Sequence, residues 1–326
     1  MAITAQQVNE LRKQTGAGLM DCKKALTESN GDMQGAIDYL RKKGAKLAEI
    51  RSGRDANEGA VIAKTSADGT RGVIVHLACE TDFVAKNEEF IKFANELADI
   101  ALDNKVSSKE ELENLKYADT TVKDKVAEKV GTIGENISIS NFATISGDNI
   151  AAYIHAGNKI GVLVSYKDGG KADAASFFRG VSMHIAAMKP KILSYKEFEA
   201  DFIAKETEAF KNQIITENEE RVRLGKHLKN VPRFVSMVQL TPEVMEEVKN
   251  EIRAELKAEG KPEQIWDKIL PGKVERFVAD NTLLDQEYCL LDQFFALDDS
   301  KTVAKAIEDF SKDAAVVEFA RVELGS

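Results

Sequence analysis

The sequence predicts an α+β fold, on three observations. Apolar residues recur at helical spacing over roughly the first 43 positions, and then alternate in short runs bounded by glycine and aspartate turns. A glycine-led strand followed by a phenylalanine-bearing helix then occurs twice, the mark of a duplicated sheet-and-helix unit. After Pro190 the pattern returns to apolar helical stripes set among many charges.

The 326 residues carry 45 basic and 54 acidic side chains, a net charge of −9, with 43% apolar and 30% charged residues. Such a chain has enough apolar surface to fold, which excludes disorder throughout. No run of about 18 apolar residues occurs, so no membrane span is expected. The start, MAITAQQVNELRKQ, lacks the apolar stretch of a secretory leader, so a cytoplasmic protein is expected. Cys22, Cys79 and Cys289 are scattered and odd in number, against a disulfide framework, and the four isolated histidines give no zinc spacing. The acidic balance argues against a dedicated nucleic-acid binder.

Ile3, Val8 and Leu11 mark the first helix, with Thr4 as its N-cap. The turn TGAG (15–18) leads to a second helix, with Leu19, Cys22 and Leu26 on one face, which Asn30-Gly31-Asp32 ends. Met33, Ile37 and Leu40 define a third. Three helices in so few residues approach the lower size limit for independent folding. Residues 41–54 follow with six basic side chains against Glu49; lacking interleaved aromatics, they read as a solvated linker rather than a site for an anionic partner. Residues 1–54 are thus expected to be a small helical module with a basic linker.

From Glu58 the period becomes two, and GAVIAKTSADGTRGVIVHLAC reads as a hairpin about Ala67-Asp68-Gly69. Phe90, Phe93, Ala94, Leu97 and Ala101 build the helix after it. More helix is expected through 107–131, where Ser108 and Glu111 make a capping box. A second strand group turns at Gly147-Asp148 and Gly157-Asn158, and FFRGVSMHIAAM is helix again. Gly72-Val73-Ile74-Val75 before the Phe90 helix parallels Gly161-Val162-Leu163-Val164 before the Phe177 helix. Two related antiparallel-sheet-plus-helix subdomains are therefore expected, 55–140 and 141–198, the latter completed by 263–326.

Phe198, Phe202, Ile203, Phe210 and Ile214 form one helical stripe; Val244, Val248, Ile252 and Leu256 form another, opened by Thr241 and Pro242 and closed by Gly260 and Pro262. They predict an inserted antiparallel hairpin over 199–262. Its stripes either hold the hairpin together or meet a partner or second copy. In the closing strand AVVEFARVEL, Val316, Glu318, Ala320, Val322 and Leu324 are expected on one face, completing the second sheet.

No phosphate-loop, dinucleotide, zinc-protease or serine-hydrolase motif occurs, and no carboxylate pair is marked out as acid and base. Neither a cofactor nor a metal is expected. Cys22 and Cys79 fall at core positions, and His76 and His184 read as a strand and a helix-face residue. One segment is unusual: Thr81-Asp82-Phe83-Val84-Ala85-Lys86-Asn87, between a strand and a helix. Locally, Thr81 or Asp82 caps a helix, Asn87 caps the next and Phe83 packs as a staple. Functionally, the loop presents an aromatic beside a carboxylate to a partner. Spacing alone leaves both readings open.

TGAGLMDCKKAL (15–26), ETDFVAKNEEF (80–90), MHIAAMKP (183–190) and GKPEQIWDKI (260–269), in this order, resemble the bacterial translation elongation factor Ts family. The resemblance covers most of the chain. It implies a non-enzyme: a guanine-nucleotide exchange factor for elongation factor Tu, needing no cofactor, metal, membrane or direct nucleic-acid contact. It implies that a module similar to a ubiquitin-associated domain docks on the partner's GTPase domain, with Leu19, Met20 and Lys23 as contacts. It assigns Thr81, Asp82, Phe83 and Val84 to dislodging the partner's Mg2+, Phe83 being the wedge, and turns His184 toward the partner's phosphate-binding loop. In family members the hairpin can mediate dimer contacts, so a homodimer within a heterotetramer is an assembly it allows. Three departures stand out: extra sequence roughly between Ala209 and Asn250, no C-terminal helical module, and Pro271 in a stretch usually more helical. A helical adaptor with a merely structural core, or a hydrolase with an unmarked carboxylate site, are the rival readings; the adaptor leaves Asp82 and Phe83 without a role.

Overall fold

The computed structural model describes residues 3–325; Met1, Ala2 and Ser326, at the margins of the first and last expected segments, lie outside the described residues. The chain forms two compact units. One runs to Ala186 and resumes at Asp313; the other is Ala187–Lys312.

The first unit opens with α1 (Ala5–Thr15), α2 (Leu19–Glu28) and α3 (Met33–Arg51). Thr4 caps α1 in a reciprocal box with Gln7, and Gly16 ends it at φ 70°, a conformation that glycine adopts without a Cβ clash. Val8, Leu11, Cys22, Ala25, Leu26 and Ala36 form a small core of their own. Leu19, expected beside Cys22 and Leu26, instead sits exposed in the first turn of α2. Nor is 41–54 a linker: α3 continues through it to Arg51, since its Lys, Ala, Leu and Arg residues are good helix formers.

β1 (Glu58–Thr65) and β2 (Arg71–Cys79) pair antiparallel about the expected turn, where Asp68 Oδ1 accepts from Ser66 Oγ and Thr70 N–H. The one-turn helix α4 (Asp82–Ala85) leads to α5 (Glu88–Asp103), α6 (Lys109–Asn114), the two-residue strands β3 (Lys116–Tyr117) and β4 (Thr120–Thr121), α7 (Val122–Ile133) and β5 (Ser138–Ser146). Ser108 caps α6 as expected, but the Glu111 carboxylate returns to Ser107 N–H and Oγ, one residue off the expected box. β5 pairs with β2, giving the order β1-β2-β5. The expected boundary at 140/141 therefore falls inside β5, because alternation marks a strand without saying which sheet edge it takes. Ile62, Val73, Val75 and Leu77 pack on Phe90, Phe93 and Leu97 of α5. Val61, Ala63 and Ile74 point the other way. Where α3 crosses α7, a Cβ on Gly44 would lie 2.9 Å from Ala127 O, and one on Gly131 2.9 Å from Gly44 Cα. Gly44, within the expected linker, is a close-approach residue.

β6 (Asn149–His155) and β7 (Ile160–Asp168) turn at Gly157 and Asn158, both at positive φ, and α8 (Ala174–Met188) follows. The second unit then contains α9 (Ala200–Arg223), α10 (Pro242–Ala258), α11 (Trp266–Asp280), α12 (Leu283–Tyr288), β8 (Phe294–Phe295) paired with β9 (Asp298–Thr302), and α13 (Val303–Phe310). Thr241 caps α10, with Pro242 in its first turn, as expected. The hairpin is made differently from the expectation over 199–262. Val248, Ile252 and Leu256 of α10 pack on Trp266, Ile269, Leu270, Val274 and Phe277 of α11. Meanwhile Ile203, Phe202 and Phe210 of α9 pack with Val235, Leu284 and Tyr288. The short link through Gly260 closes α10 onto α11 at lower entropic cost than the long connection from α9. Pro271 lies inside α11 on its exposed side, where the flanking stripe on α10 holds the helix across one lost N–H bond.

β10 (Ala314–Glu323) returns to the first unit and pairs with β7, giving the order β10-β7-β6 and completing the second sheet as expected. A bulge at Val317 places Val316 opposite Tyr166, which stacks on Phe178 of α8 at 4.1 Å, while Ala320 and Val322 stay opposite Leu163 and Gly161. The expected single face of this strand is therefore split in two. Between the sheets, Val61, Ala63, Ile74 and Ile145 join Ile150, Leu163 and Val322 in one apolar cluster. The glycines of the repeat permit this approach. A Cβ on Gly72 would lie 2.8 Å from Ile150 Cγ2 and Leu163 Cδ2; one on Gly161 would lie 2.8 Å from Val61 Cγ1.

His76, on β2, is buried with Nδ1 2.6 Å from Ser140 Oγ, and Nε2 has no partner among the described residues. Burial pushes its pKa down to about 4. Below about pH 6.5 the unfolded chain takes up a proton that the folded chain refuses, so the first unit should lose stability as pH falls, by about 3 kcal/mol at pH 4. Asp292, in the second unit, goes the opposite way. Burial, with Asp285 beside it, pushes its carboxyl up to about 6. The folded state then binds a proton before the unfolded state does, and stability is gained as pH falls from about 6 toward 3.8. Acid titration should therefore unfold the first unit ahead of the second; separate signals from Trp266, the single tryptophan and in the second unit, and from far-ultraviolet dichroism check this.

Candidate protein-docking site

β2 ends at Cys79, and the chain reverses over Glu80 and Thr81 into α4. Thr81 Oγ1 accepts from Val84 N–H at 3.4 Å and caps the turn; Asn87 Oδ1 accepts from Glu89 and Phe90 N–H and caps α5. A carboxylate from elsewhere clamps the reversal. Glu135 Oε2 accepts from the N–H groups of Glu80 and Thr81, both at 3.1 Å, and Oε1 accepts from Thr81 Oγ1 at 2.6 Å. Glu80 in turn accepts from Asn136 N–H at 2.6 Å, which holds its carboxyl below the usual range. Glu135 has no sequence signal beyond its place after Gly134, and it is not among the expected site residues. Glu135→Ala should leave three donors without their acceptor, costing about 2 kcal/mol and loosening the turn. Denaturant unfolding and faster amide exchange at Thr81 would register it, with Glu135→Gln intermediate because it keeps one acceptor oxygen.

The four expected residues therefore divide by role. Thr81 is occupied as cap and clamp, and Val84 packs against the core under α5. Asp82 faces outward in an ion pair with Lys86 at 2.6 Å, and that ammonium lowers its carboxyl pKa. Phe83, 84% exposed, stands clear of the surface. The staple reading of Phe83 fails on that exposure. Phe83 also forms one wall of a groove of 640 Å3 shared with Lys13 and Gly16 at the end of α1 and with Lys129 and Ile133 of α7. Leu19 (49% exposed) and Met20 (73%) occupy the first turn of α2, with Lys23 exposed one turn on. His184 is wholly buried in α8 among Val181, Ser182 and Ile185, and the exposed residue beside it is Met183. From this position His184 offers no surface to a partner, against the role the resemblance implies. Among the described residues no three His, Cys, Asp or Glu side chains gather as a metal site. No described helix is long and apolar enough to cross a membrane. The three cysteines are free and buried, and burial raises the pKa of each thiol.

Fold and site together define an α+β protein that presents an aromatic side chain on a clamped turn, an arrangement suited to docking. The family model described as Elongation factor TS matches residues 80–229 and 228–326. The elongation factor Ts of Rhodopirellula baltica is 57% identical over 324 residues, 99% of each chain. Those of Flavobacterium johnsoniae (49% over 323 residues, 99% of each) and Campylobacter hominis (44% over 333 residues, 100% of this chain and 95% of that one) are also similar. The chain belongs to the elongation factor Ts family, among the elongation factors of protein biosynthesis.

Proposed function

We propose that this protein is the guanine-nucleotide exchange factor of elongation factor Tu, acting in the cytoplasm to release GDP so that GTP can bind. The single observation that carries the reading, beyond family membership, is Phe83: a large apolar side chain held in water on a turn that Glu135 keeps rigid. An aromatic carried on a backbone already fixed by folding has little further freedom to lose on binding. A bound nucleotide depends on Mg2+ bridging its phosphates and on a cradle of donors, so disturbing that site weakens it most. Phe83 would enter between elements of the partner's GTPase domain, and packed elements switch between discrete arrangements rather than yield smoothly. Asp82, released from Lys86, would be the polar contact beside it. The α1–α3 module, similar to a ubiquitin-associated domain, would dock through Leu19, Met20 and Lys23. The second unit would supply any contact between two copies, giving a homodimer within a heterotetramer. The factor itself uses no metal or cofactor and performs no covalent chemistry. Reciprocity requires that nucleotide weaken the factor's binding by the ratio in which the factor weakens the nucleotide's.

Release of a fluorescent GDP analogue from elongation factor Tu tests the reading. Acceleration that saturates with this protein, and slows as free GDP is added, is the expected result. A folded protein that leaves the release rate unchanged would overturn it.

A further inference from the structure

The core of α1–α3 and the core under α5 are separate apolar clusters. Between them lies a cleft of 230 Å3, with Gln14, Thr15 and Asp21 on one wall and Asp119, Glu128 and Thr132 on the other. Among the described residues α3 contributes to both clusters, through Ala36 and Leu40 to the first and Leu47 and Ala48 to the second. At its middle, Arg41 reaches over the cleft. Its Nε donates to Glu128 Oε1 on α7 at 2.7 Å, and its Nη2 to Asp119 Oδ2, between β3 and β4, at 2.6 Å. The side chains of Arg41 and Glu128 are 27% and 21% exposed, so this bridge is better shielded than an ordinary surface pair. A planar guanidinium held by carboxylates on two different elements fixes an angle as well as a distance. On the module's own side, Lys43 is taken by Asp21, which leaves Arg41, among the described residues, as the ionic link from α3 to α7 and the β3–β4 turn.

We propose that Arg41 is a positioning residue for docking: it sets the angle of the α1–α3 module so that Leu19 and Met20 on α2 and Phe83 on α4 can engage one partner together. The inference rests on the docking reading above. Two contact patches on one rigid body reinforce each other through a high effective concentration, and that gain falls when the joint between them swings. Apolar side chains of α3 cross the joint toward its C-terminal end, through Leu47 and Ala48; nearer Arg41, α3 and α7 meet at Gly44 and Gly131, which put no side chain of their own between them. On the Arg41 side of that crossing the fork is what opposes a tilt of the module about the Gly44–Gly131 contact. Loss of the fork should therefore raise the concentration of factor needed, and leave untouched what Phe83 does once seated.

The test uses Arg41→Met, Arg41→Lys and Asp119→Asn in the full chain. Spin labels at Lys24→Cys and Glu89→Cys, both exposed positions, report the module's angle as a distance distribution, the native cysteines being buried. Titration of GDP release reports half-saturation and plateau rate separately. In Arg41→Met the distance distribution should broaden and half-saturation rise about fivefold, the size of one partly exposed ion pair, with the plateau rate within about twofold of wild type. Arg41→Lys, which meets one carboxylate but not both, should fall between. Asp119→Asn removes only a 67% exposed partner, so it carries the same test if Arg41→Met folds poorly. An unchanged distance distribution, or a plateau rate that falls at fixed half-saturation, would overturn the proposal. Failure of the wild type to release GDP would instead overturn the docking reading, while the distance distribution would still judge the joint.

Discussion

Replacing Phe83 by alanine should slow nucleotide release from the partner by about thirtyfold, while the midpoint of thermal unfolding stays within about 1 °C of wild type. The first figure follows from the weight that buried aromatic anchors carry in interfaces, about 2 kcal/mol or more on truncation, at 1.4 kcal/mol for each factor of ten. The second follows from exposure. A ring 84% in water contributes little to the core, and the turn that carries it is held by Thr81, Val84 and Glu135, none of which the substitution touches. Phe83→Leu should recover part of the rate, because an apolar wedge remains but with less area. Release of fluorescent GDP at saturating factor, read beside a thermal melt, separates the outcomes. A midpoint that falls together with the rate would make Phe83 a structural residue.

Gly161→Val should destabilise the first unit by about 3 kcal/mol, the upper part of the usual overpacking range. A Cβ at Gly161 would lie 2.8 Å from Val61 Cγ1 and 3.1 Å from Ile74 Cγ2, and the two methyl groups of valine would have to displace the first sheet. Gly161 belongs to the central strand of its sheet and Val61 and Ile74 to the opposing one, so neither side can give way locally. For a unit of this size the midpoint should fall by roughly 6–12 °C. Gly161→Ala adds only the Cβ, which must still push Val61 back from 2.8 Å, so it should cost less than valine but not nothing. A valine variant melting near wild type would mean that the sheets can part without penalty.

Much of the fold was legible because its signals are local. Thr4, Thr241 and Pro242 act within one turn of their own positions, and alternation along β1, β2 and β7 requires only that one strand have two faces. What was not legible depends on residues far away. Gly44 has the same identity whether it ends a helix or lies under another glycine, and only Gly131 on α7 decides between the two. The stripe of α10 does not say whether α9 or α11 will cover it. β5 carries no mark of its sheet, and the bulge that turns Val316 away from Val322 needs the register of β7 to be seen. At the site, the sequence marks out Thr81 to Val84 as unusual but cannot separate the side chain that projects from those that anchor. Glu135, more than fifty residues on, makes that separation by engaging Thr81. His184 is turned inward because the inner face of α8 is wide enough to take Val181, Ser182 and Ile185 together with it.

The interruption of the first unit by the second has a consequence for how the chain is made. β7 emerges from the ribosome with β6 on one side and an open edge on the other, and β10, which fills that edge, is synthesised about 145 residues later. At roughly 5–20 residues per second the nascent chain carries the bare edge for about 7–30 s. An unpaired apolar strand is a template for any other chain that passes. During that interval Val162 and Val164 are guarded only by the speed with which the second unit is finished and by whatever binds growing chains as they appear.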